Sequence, residues 1–192
     1  DQGPHLAQQG RRQLRPLRRY GAGISHNPSS NLKLSSGFAP VALMLGVGIP
    51  VAIGTDGAAS NNDLDMFEEM RLAALLAKGA SNDPTALPAR QALAMVTRLG
   101  AEALHIGNRT GSLEPGKRAD VAIVDLQRIY LTPRFHRNED SIYSLLVYSG
   151  KSSDVRHVLC DGRWMMRDRE LLTLDVEELL RRAEKGARRI DT

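Results

Sequence analysis

The segment Pro50-Val-Ala-Ile-Gly-Thr-Asp-Gly57 gives the strongest indication of the fold. Residues 51–53 are apolar in succession, which is typical of a parallel strand covered by helices on both faces. The strand stops before Asp56, and small residues follow it. Because βα-barrels carry their catalytic groups at the C-terminal ends of strands, Asp56 is a candidate metal ligand or general base. The alternative is an aspartate that caps the next helix or braces a turn.

Strand and helix patterns alternate on either side of this segment. Residues 22–25 read as a buried strand that ends in a polar loop over 26–31, and Pro40 suits the first turn of a helix. Asp63 is a plausible N-cap for a helix through about Ala77, and another helix begins near Pro88. This alternation predicts βα units.

The helix predicted over residues 63–77 has an apolar stripe. Its members are Leu64, Phe67, Met70, Ala74 and Leu75. We expect this face to pack in the core and the charged residues Glu68, Glu69 and Arg71 to point elsewhere.

The pattern changes after residue 110. A strand is predicted over 119–126, and Asp161-Gly162 is a two-residue hairpin turn between strands at 155–160 and 164–166. Asp175 can cap a final amphipathic helix. We therefore divide the chain into residues 1–20, 21–110 and 111–192. The first part, rich in Gln and Arg, is predicted to be a poorly ordered basic lead-in or a helix without its context.

Composition excludes several classes of protein. The 192 residues are 42% hydrophobic and 25% charged, and no apolar run reaches the roughly 20 residues that span a bilayer. The net charge of +4 comes from arginines and lysines at the two ends, and only 4% of residues are aromatic, so we expect no nucleic-acid partner. The start lacks both Met and a signal pattern, so we expect a chain that is cut from a longer one or mis-started, and a cytoplasmic location.

Histidines do not form a recognisable metal motif. The five are scattered, with no His-x-His spacing: His5, His26, His105, His136 and His157. His26, at a predicted strand end, can contact metal or substrate, but a lone histidine is more often structural, and we favour that reading for its metal role. Phosphate loops, nucleophile elbows and paired cysteines are also missing from the sequence, since Cys160 is the single cysteine.

Four segments carry a family resemblance. They are Ser25-His-Asn-Pro-Ser-Ser-Asn-Leu-Lys-Leu-Ser-Ser-Gly37, Val51-Ala-Ile-Gly-Thr-Asp-Gly-Ala-Ala-Ser-Asn-Asn62, Asp65-Met-Phe-Glu-Glu-Met-Arg71 and Gly111-Ser-Leu-Glu-Pro-Gly-Lys-Arg-Ala-Asp120. From residue 21 onward the chain resembles the C-terminal half of the amidohydrolase superfamily. The nearest likeness is to the 5-methylthioadenosine/S-adenosylhomocysteine deaminases, which lie close to the triazine hydrolases, or chlorohydrolases.

The resemblance implies an α/β fold: the last strands and helices of a metal-dependent-hydrolase (β/α)8 barrel, plus the C-terminal part of a small β-sandwich. It also implies one divalent metal, zinc or iron, at the barrel mouth. Asp56 matches the ligand at the end of the eighth strand, where it would also accept a proton from the attacking water and pass it to departing ammonia. The substrate-binding residues implied are Asp56, His26, Asn31, Gly57 and Ser60.

The implied reaction is hydrolytic deamination of an adenosine-type substrate. The histidine ligands of the family have no counterpart in this sequence, so we expect the isolated chain to be inactive and to need a missing N-terminal half or, as another possibility, to form a homo-oligomer. The expected partner is a purine nucleoside or a triazine-like small molecule, with neither nucleic acid nor membrane. The alternatives are a triazine amino- or chlorohydrolase, and a non-catalytic remnant or binding module.

Overall fold

The computed structural model describes residues 3–135, 138 and 140–190. The chain divides into two units, Asp1–Lys117 with Gln127–Ser152, and Arg118–Leu126 with Ser153–Thr192. The sequence pattern predicts this division after residue 110, with all of residues 111–192 in the second part. Residues 127–152 instead return to the first unit, because the helix within them, α8 (Asp140–Tyr148), buries Val147 in the core of that unit.

The first unit is built on two short parallel strands, β1 (Ile24–His26) and β2 (Val51–Ile53). They pair in register, Ile24 with Val51 and His26 with Ile53. All three residues of β2 are buried, which confirms the prediction of a strand covered on both faces. The two strands therefore end at the same edge.

Helices surround this pair. The remaining helices of the first unit are α1 (Gly3–Arg19), α2 (Pro28–Lys33), α3 (Val41–Gly46), α4 (Ala58–Asn61), α5 (Met66–Ser81), α6 (Ala89–Met95) and α7 (Arg98–Ala103). Apolar side chains of α1, α3, α5, α6, α7 and α8 form one core with the two strands, in which Ile49, Met70 and Met95 are almost fully buried. None of the described helices has the length and apolar character needed to cross a membrane.

The structure decides the conformation of two segments. Helix α1 covers most of residues 1–20, so of the two alternatives predicted for this part the structure has the helix and not the poorly ordered segment, and Leu14 packs against the core. Residues 28–33 form helix α2 instead of continuing the predicted loop. Pro28 takes the first position of α2, where its missing N–H costs no hydrogen bond.

Helix α5 begins two residues later than predicted and presents a different face. Of the predicted stripe, Met70 and Ala74 are buried, whereas Leu64 and Leu75 are exposed. The prediction was wrong for Leu75 because the helix turns its alanines, Ala73 and Ala77 among them, towards the core. It was wrong for Leu64 because this residue lies in the turn before α5, where it has a positive φ of 58°.

The N-cap of α5 is Asp65, not Asp63. A carboxylate oxygen of Asp65 accepts hydrogen bonds from the N–H groups of Phe67 (2.8 Å) and Glu68 (3.3 Å). We expect Asp65→Ala to lower the free energy of unfolding by about 1 kcal/mol in urea denaturation. The control, Asp63→Ala, should change it by less than about 0.5 kcal/mol. Equal losses in the two variants would contradict this assignment of the cap.

The second unit contains an antiparallel sheet. Its strands follow the chain in spatial order, β3 (Val121–Val124), β4 (Val155–Cys160), β5 (Arg163–Arg167) and β6 (Glu170–Leu171). Asp161 and Gly162 both have positive φ, 51° and 76°, which confirms the predicted two-residue turn. Helix α9 (Val176–Arg188) begins at the predicted cap, where Asp175 accepts from the N–H of Glu178 at 2.9 Å.

Candidate active site

Asp56 lies just beyond the end of β2, on the side where β1 also ends. Its φ of +61° is in the left-handed region, and its side chain is exposed to solvent. The carboxylate atom Oδ2 accepts two hydrogen bonds, from the Oγ of Ser30 at 2.7 Å and from the Oγ of Ser60 at 2.8 Å. Ser30 belongs to α2, after β1, and Ser60 to α4, after β2. Asp56 thus joins the segments that follow the two strands.

These contacts keep Asp56 ionised. The hydroxyl of Ser30 lowers the pKa of Asp56 most, followed by the hydroxyl of Ser60 and the backbone N–H of Gly57. A carboxyl with a lowered pKa stabilises the folded chain above the pKa of the unfolded state, and this contribution is lost as the pH falls through the lower folded value. At neutral pH the group is therefore a fixed anion that faces solvent.

The geometry separates the alternatives left open for Asp56. Gly57 is the N-cap of α4, and this cap has no side-chain hydrogen bond, so Asp56 does not cap the helix in the usual way. The carboxylate does brace the segment over 56–60 through Ser60. Both serine hydroxyls donate to Oδ2, and a carboxylate has about four acceptor positions, so this bracing does not prevent Asp56 from binding a ligand.

A lysine ties the same two segments together at the surface. The Nζ of Lys33 on α2 donates to the backbone carbonyl of Ala59 at 3.0 Å and to the side-chain oxygen of Asn62 at 2.6 Å. The sequence reading did not single out Lys33 for this role. Its contacts keep α2 beside α4 and so keep Ser30 near Asp56.

Glu69 is a second residue that the sequence reading missed. It was expected to point away from the core, but it is only 1% exposed. Its Oε2 accepts from the N–H of Ser29 at 3.1 Å, and its Oε1 accepts from the Nδ2 of Asn61 at 2.7 Å. The available signal was its spacing, because Ala73 and Ala77, four and eight residues later, lie on the same buried face.

The other predicted site residues divide into two groups. Gly57 and Ser60 lie beside Asp56, which supports grouping these three. His26 and Asn31 line a small cavity of about 10 Å³ together with apolar side chains such as Phe38 and Val41. No hydrogen bond joins either of them to Asp56 in the described part of the chain. Their role as substrate contacts stays a prediction.

His26 is a neutral, buried side chain. It is 5% exposed, and burial lowers the pKa of its imidazole. Its Nδ1 has no hydrogen-bond partner among the described residues. Of the remaining histidines, His136 lies outside the described residues.

The described residues supply one good metal ligand. Asp56 fits a divalent cation because its carboxylate is ionised, exposed and held in place by two hydroxyls. However, no group of three or more His, Cys, Asp or Glu side chains able to hold a metal occurs within residues 3–135, 138 and 140–190.

The fold and this strand-end carboxylate agree with the family comparison. The model of the amidohydrolase family matches residues 2–165, so the chain belongs to the amidohydrolase family, as the resemblance indicated. The chain is 51% identical to the 5-methylthioadenosine/S-adenosylhomocysteine deaminase of Desulforudis audaxviator, over 92% of this chain and 40% of the relative. It therefore spans about two fifths of that protein.

Solved structures give the same picture. The chain superposes on a zinc-bound adenosine deaminase from Xanthomonas campestris with a TM-score of 0.88 and 41% identity, covering 93% of this chain and 40% of the other. The zinc complex of atrazine chlorohydrolase from Arthrobacter aurescens matches with a TM-score of 0.80 and 28% identity, covering 91% and 38%. Both similarities support the predicted nearness to deaminases and triazine hydrolases.

Proposed function

We propose that this chain forms part of a metal-dependent deaminase that hydrolyses the exocyclic amino group of an adenosine-type nucleoside. Its first unit would supply the last strands and helices of a (β/α)8 barrel, and its second unit part of a small β-sandwich. The observation that carries the proposal is the ionised carboxylate of Asp56, held at the end of β2 by Ser30 and Ser60. The 51% identity to a named deaminase supports the choice of substrate class.

Asp56 would have two roles in this reaction. It would contribute one ligand to a divalent metal, zinc in the solved relatives, which when bound polarises water and lowers its pKa to roughly 7. Its carboxylate would also accept a proton from the attacking water, while the two serine hydroxyls hold it in place. Water adds to the ring carbon, the C–N bond breaks, and the proton leaves with ammonia.

The neighbouring residues would orient Asp56 and leave room for the substrate. Ser60 would orient the carboxylate through its bond to Oδ2, and it stays a proposed substrate contact. Apart from its two chain neighbours, no atom of the described residues lies within 4 Å of a Cβ added at Gly57, so this part of the protein leaves space beside Gly57. His26 and Asn31 stay proposed substrate contacts, and only the resemblance to the amidohydrolase deaminases supports this role.

A fusion protein tests this proposal. The chain replaces the matching two fifths of the Desulforudis audaxviator deaminase, and ammonia release from methylthioadenosine and S-adenosylhomocysteine is measured together with bound zinc. We expect stoichiometric zinc and deamination by the fusion, and neither by the isolated chain. Chloride release from atrazine without deamination would favour the chlorohydrolase alternative. A zinc-loaded fusion that acts on none of these substrates would contradict the proposal.

A further inference from the structure

Glu69 connects the two segments that hold Asp56. It lies on α5, which carries neither of the serines bound to Asp56. Both of its oxygens are used: Oε2 by the backbone of Ser29 and Oε1 by the amide of Asn61. The other end of the Asn61 amide is also fixed, since its Oδ1 accepts from the N–H of Leu64 at 2.7 Å.

The bonded residues are the chain neighbours of the two serines. Ser29 precedes Ser30, and Asn61 follows Ser60, so the position of each hydroxyl depends on a residue held by Glu69. We propose that Glu69 is a positioning residue, which fixes the carboxylate of Asp56 by tying together the segments that carry Ser30 and Ser60. This inference rests on the proposed function of Asp56 as a metal ligand.

Packing alone gives no reason for a carboxylate at this position. Glu69 is 1% exposed and lies next to Met70 on the core side of α5, where an apolar side chain would fill the space without removing a polar group from water. Within the described residues Glu69 makes no ion pair, so its oxygens are satisfied by the donors from the two segments. Two acceptor oxygens at one point are what a glutamate supplies and an apolar residue does not.

Glu69→Gln tests the inference in the fusion protein. Glutamine has one acceptor oxygen and one NH₂ group, so one of the donors from Ser29 and Asn61 would face another donor. We expect zinc affinity to fall about 10-fold, as is usual when a group that supports a metal ligand is lost. Glu68→Gln is the matched control, because Glu68 is the exposed neighbour on the same helix, and its zinc affinity should equal that of the parent fusion.

A mutant cycle shows whether Glu69 acts through the serines. Ser30→Ala with Ser60→Ala should also weaken zinc binding, and adding Glu69→Gln to this pair should cause no further loss. A merely structural role would instead give additive losses. In the metal-free 192-residue chain, the carboxyl ¹³C signal of Asp56 should shift in the same direction in Glu69→Gln and in the serine pair, and stay in place in Glu68→Gln.

Asn61→Ala keeps the inference testable if Glu69→Gln does not fold. This variant removes the bond between Asn61 and Oε1 together with the bond that Asn61 accepts from Leu64, and it should also weaken zinc binding. Unchanged zinc affinity in a folded Glu69→Gln or Asn61→Ala fusion, or additive effects in the cycle, would overturn the inference. Zinc binding is measured without nucleoside, so this test does not depend on deamination. A fusion that binds zinc but does not deaminate would refute the proposed reaction. The zinc affinities of the variants would still decide the role of Glu69.

Discussion

Asp56→Asn in the fusion protein should lower kcat for deamination by about 10²–10⁴-fold. Asparagine has nearly the same shape as aspartate, and its side-chain oxygen can still accept from the hydroxyls of Ser30 and Ser60. It has no negative charge, however, so it is a weaker ligand for a divalent cation and cannot accept a proton from water. We therefore expect bound zinc to fall as well, measured by atomic absorption alongside the rate of ammonia release.

The matched control for this variant is Asp63→Asn. Asp63 is an exposed aspartate seven residues further on, and its carboxylate accepts a long hydrogen bond (3.3 Å) from the N–H of Asp65. The same change in charge at this position should leave both zinc content and kcat at the level of the parent fusion. If Asp56→Asn deaminates as fast as Asp63→Asn, the assignment of Asp56 as ligand and base is wrong.

The placement of Asp56 could be predicted from the sequence because it depends on local rules. Three consecutive apolar residues between Pro50 and Gly54 indicate a strand covered on both faces, and such a strand ends where polar and small residues begin. The end of a parallel strand then defines the edge at which the next side chain lies. None of these steps needs knowledge of a residue that is distant in sequence, so the position of this carboxylate at the strand edge could be predicted.

The burial of Glu69 could not be predicted from the sequence, because it depends on hydrogen-bond donors that are distant in sequence. Its hydrogen-bond partner Ser29 lies 40 residues earlier in the chain. The residues next to Glu69 in sequence do not indicate that its carboxylate is buried. Hydropathy placed Glu69 on the solvent side and Leu75 on the core side, whereas the structure has the reverse. The predicted buried face of α5 was wrong because Ala73 and Ala77, which define the observed one, are only weakly hydrophobic.

The same limit applies to the division of the chain. Residues 140–148 carry an apolar pattern that fits a helix in either unit. The contact of Val147 with the core of the first unit shows to which unit this helix belongs.

The N-cap of α5 is a similar case, because Asp63 and Asp65 both satisfy the sequence rule for an N-cap. The choice of Asp65 depends on the turn before α5, where Leu64 adopts a positive φ of 58°.

Met70→Ala should lower the free energy of unfolding of the chain by about 2–5 kcal/mol, measured by urea denaturation with circular dichroism. Met70 is 1% exposed in the core of the first unit, so its truncation both removes buried apolar surface and leaves a cavity. Leu75→Ala is the control on the same helix. Leu75 is 48% exposed, and its truncation should cost no more than about 0.5 kcal/mol.

This pair of variants also tests the rotation of α5 on which the role of Glu69 depends. The sequence pattern puts Met70 and Leu75 on one face, whereas the structure buries Met70 and Glu69 together and exposes Leu75. Similar losses in the two variants would mean that the helix presents the face read from hydropathy, and Glu69 would then be turned away from Ser29 and Asn61. A large loss confined to Met70→Ala agrees with the observed rotation, in which Leu75 lies about 140° around the helix from Met70 and faces solvent.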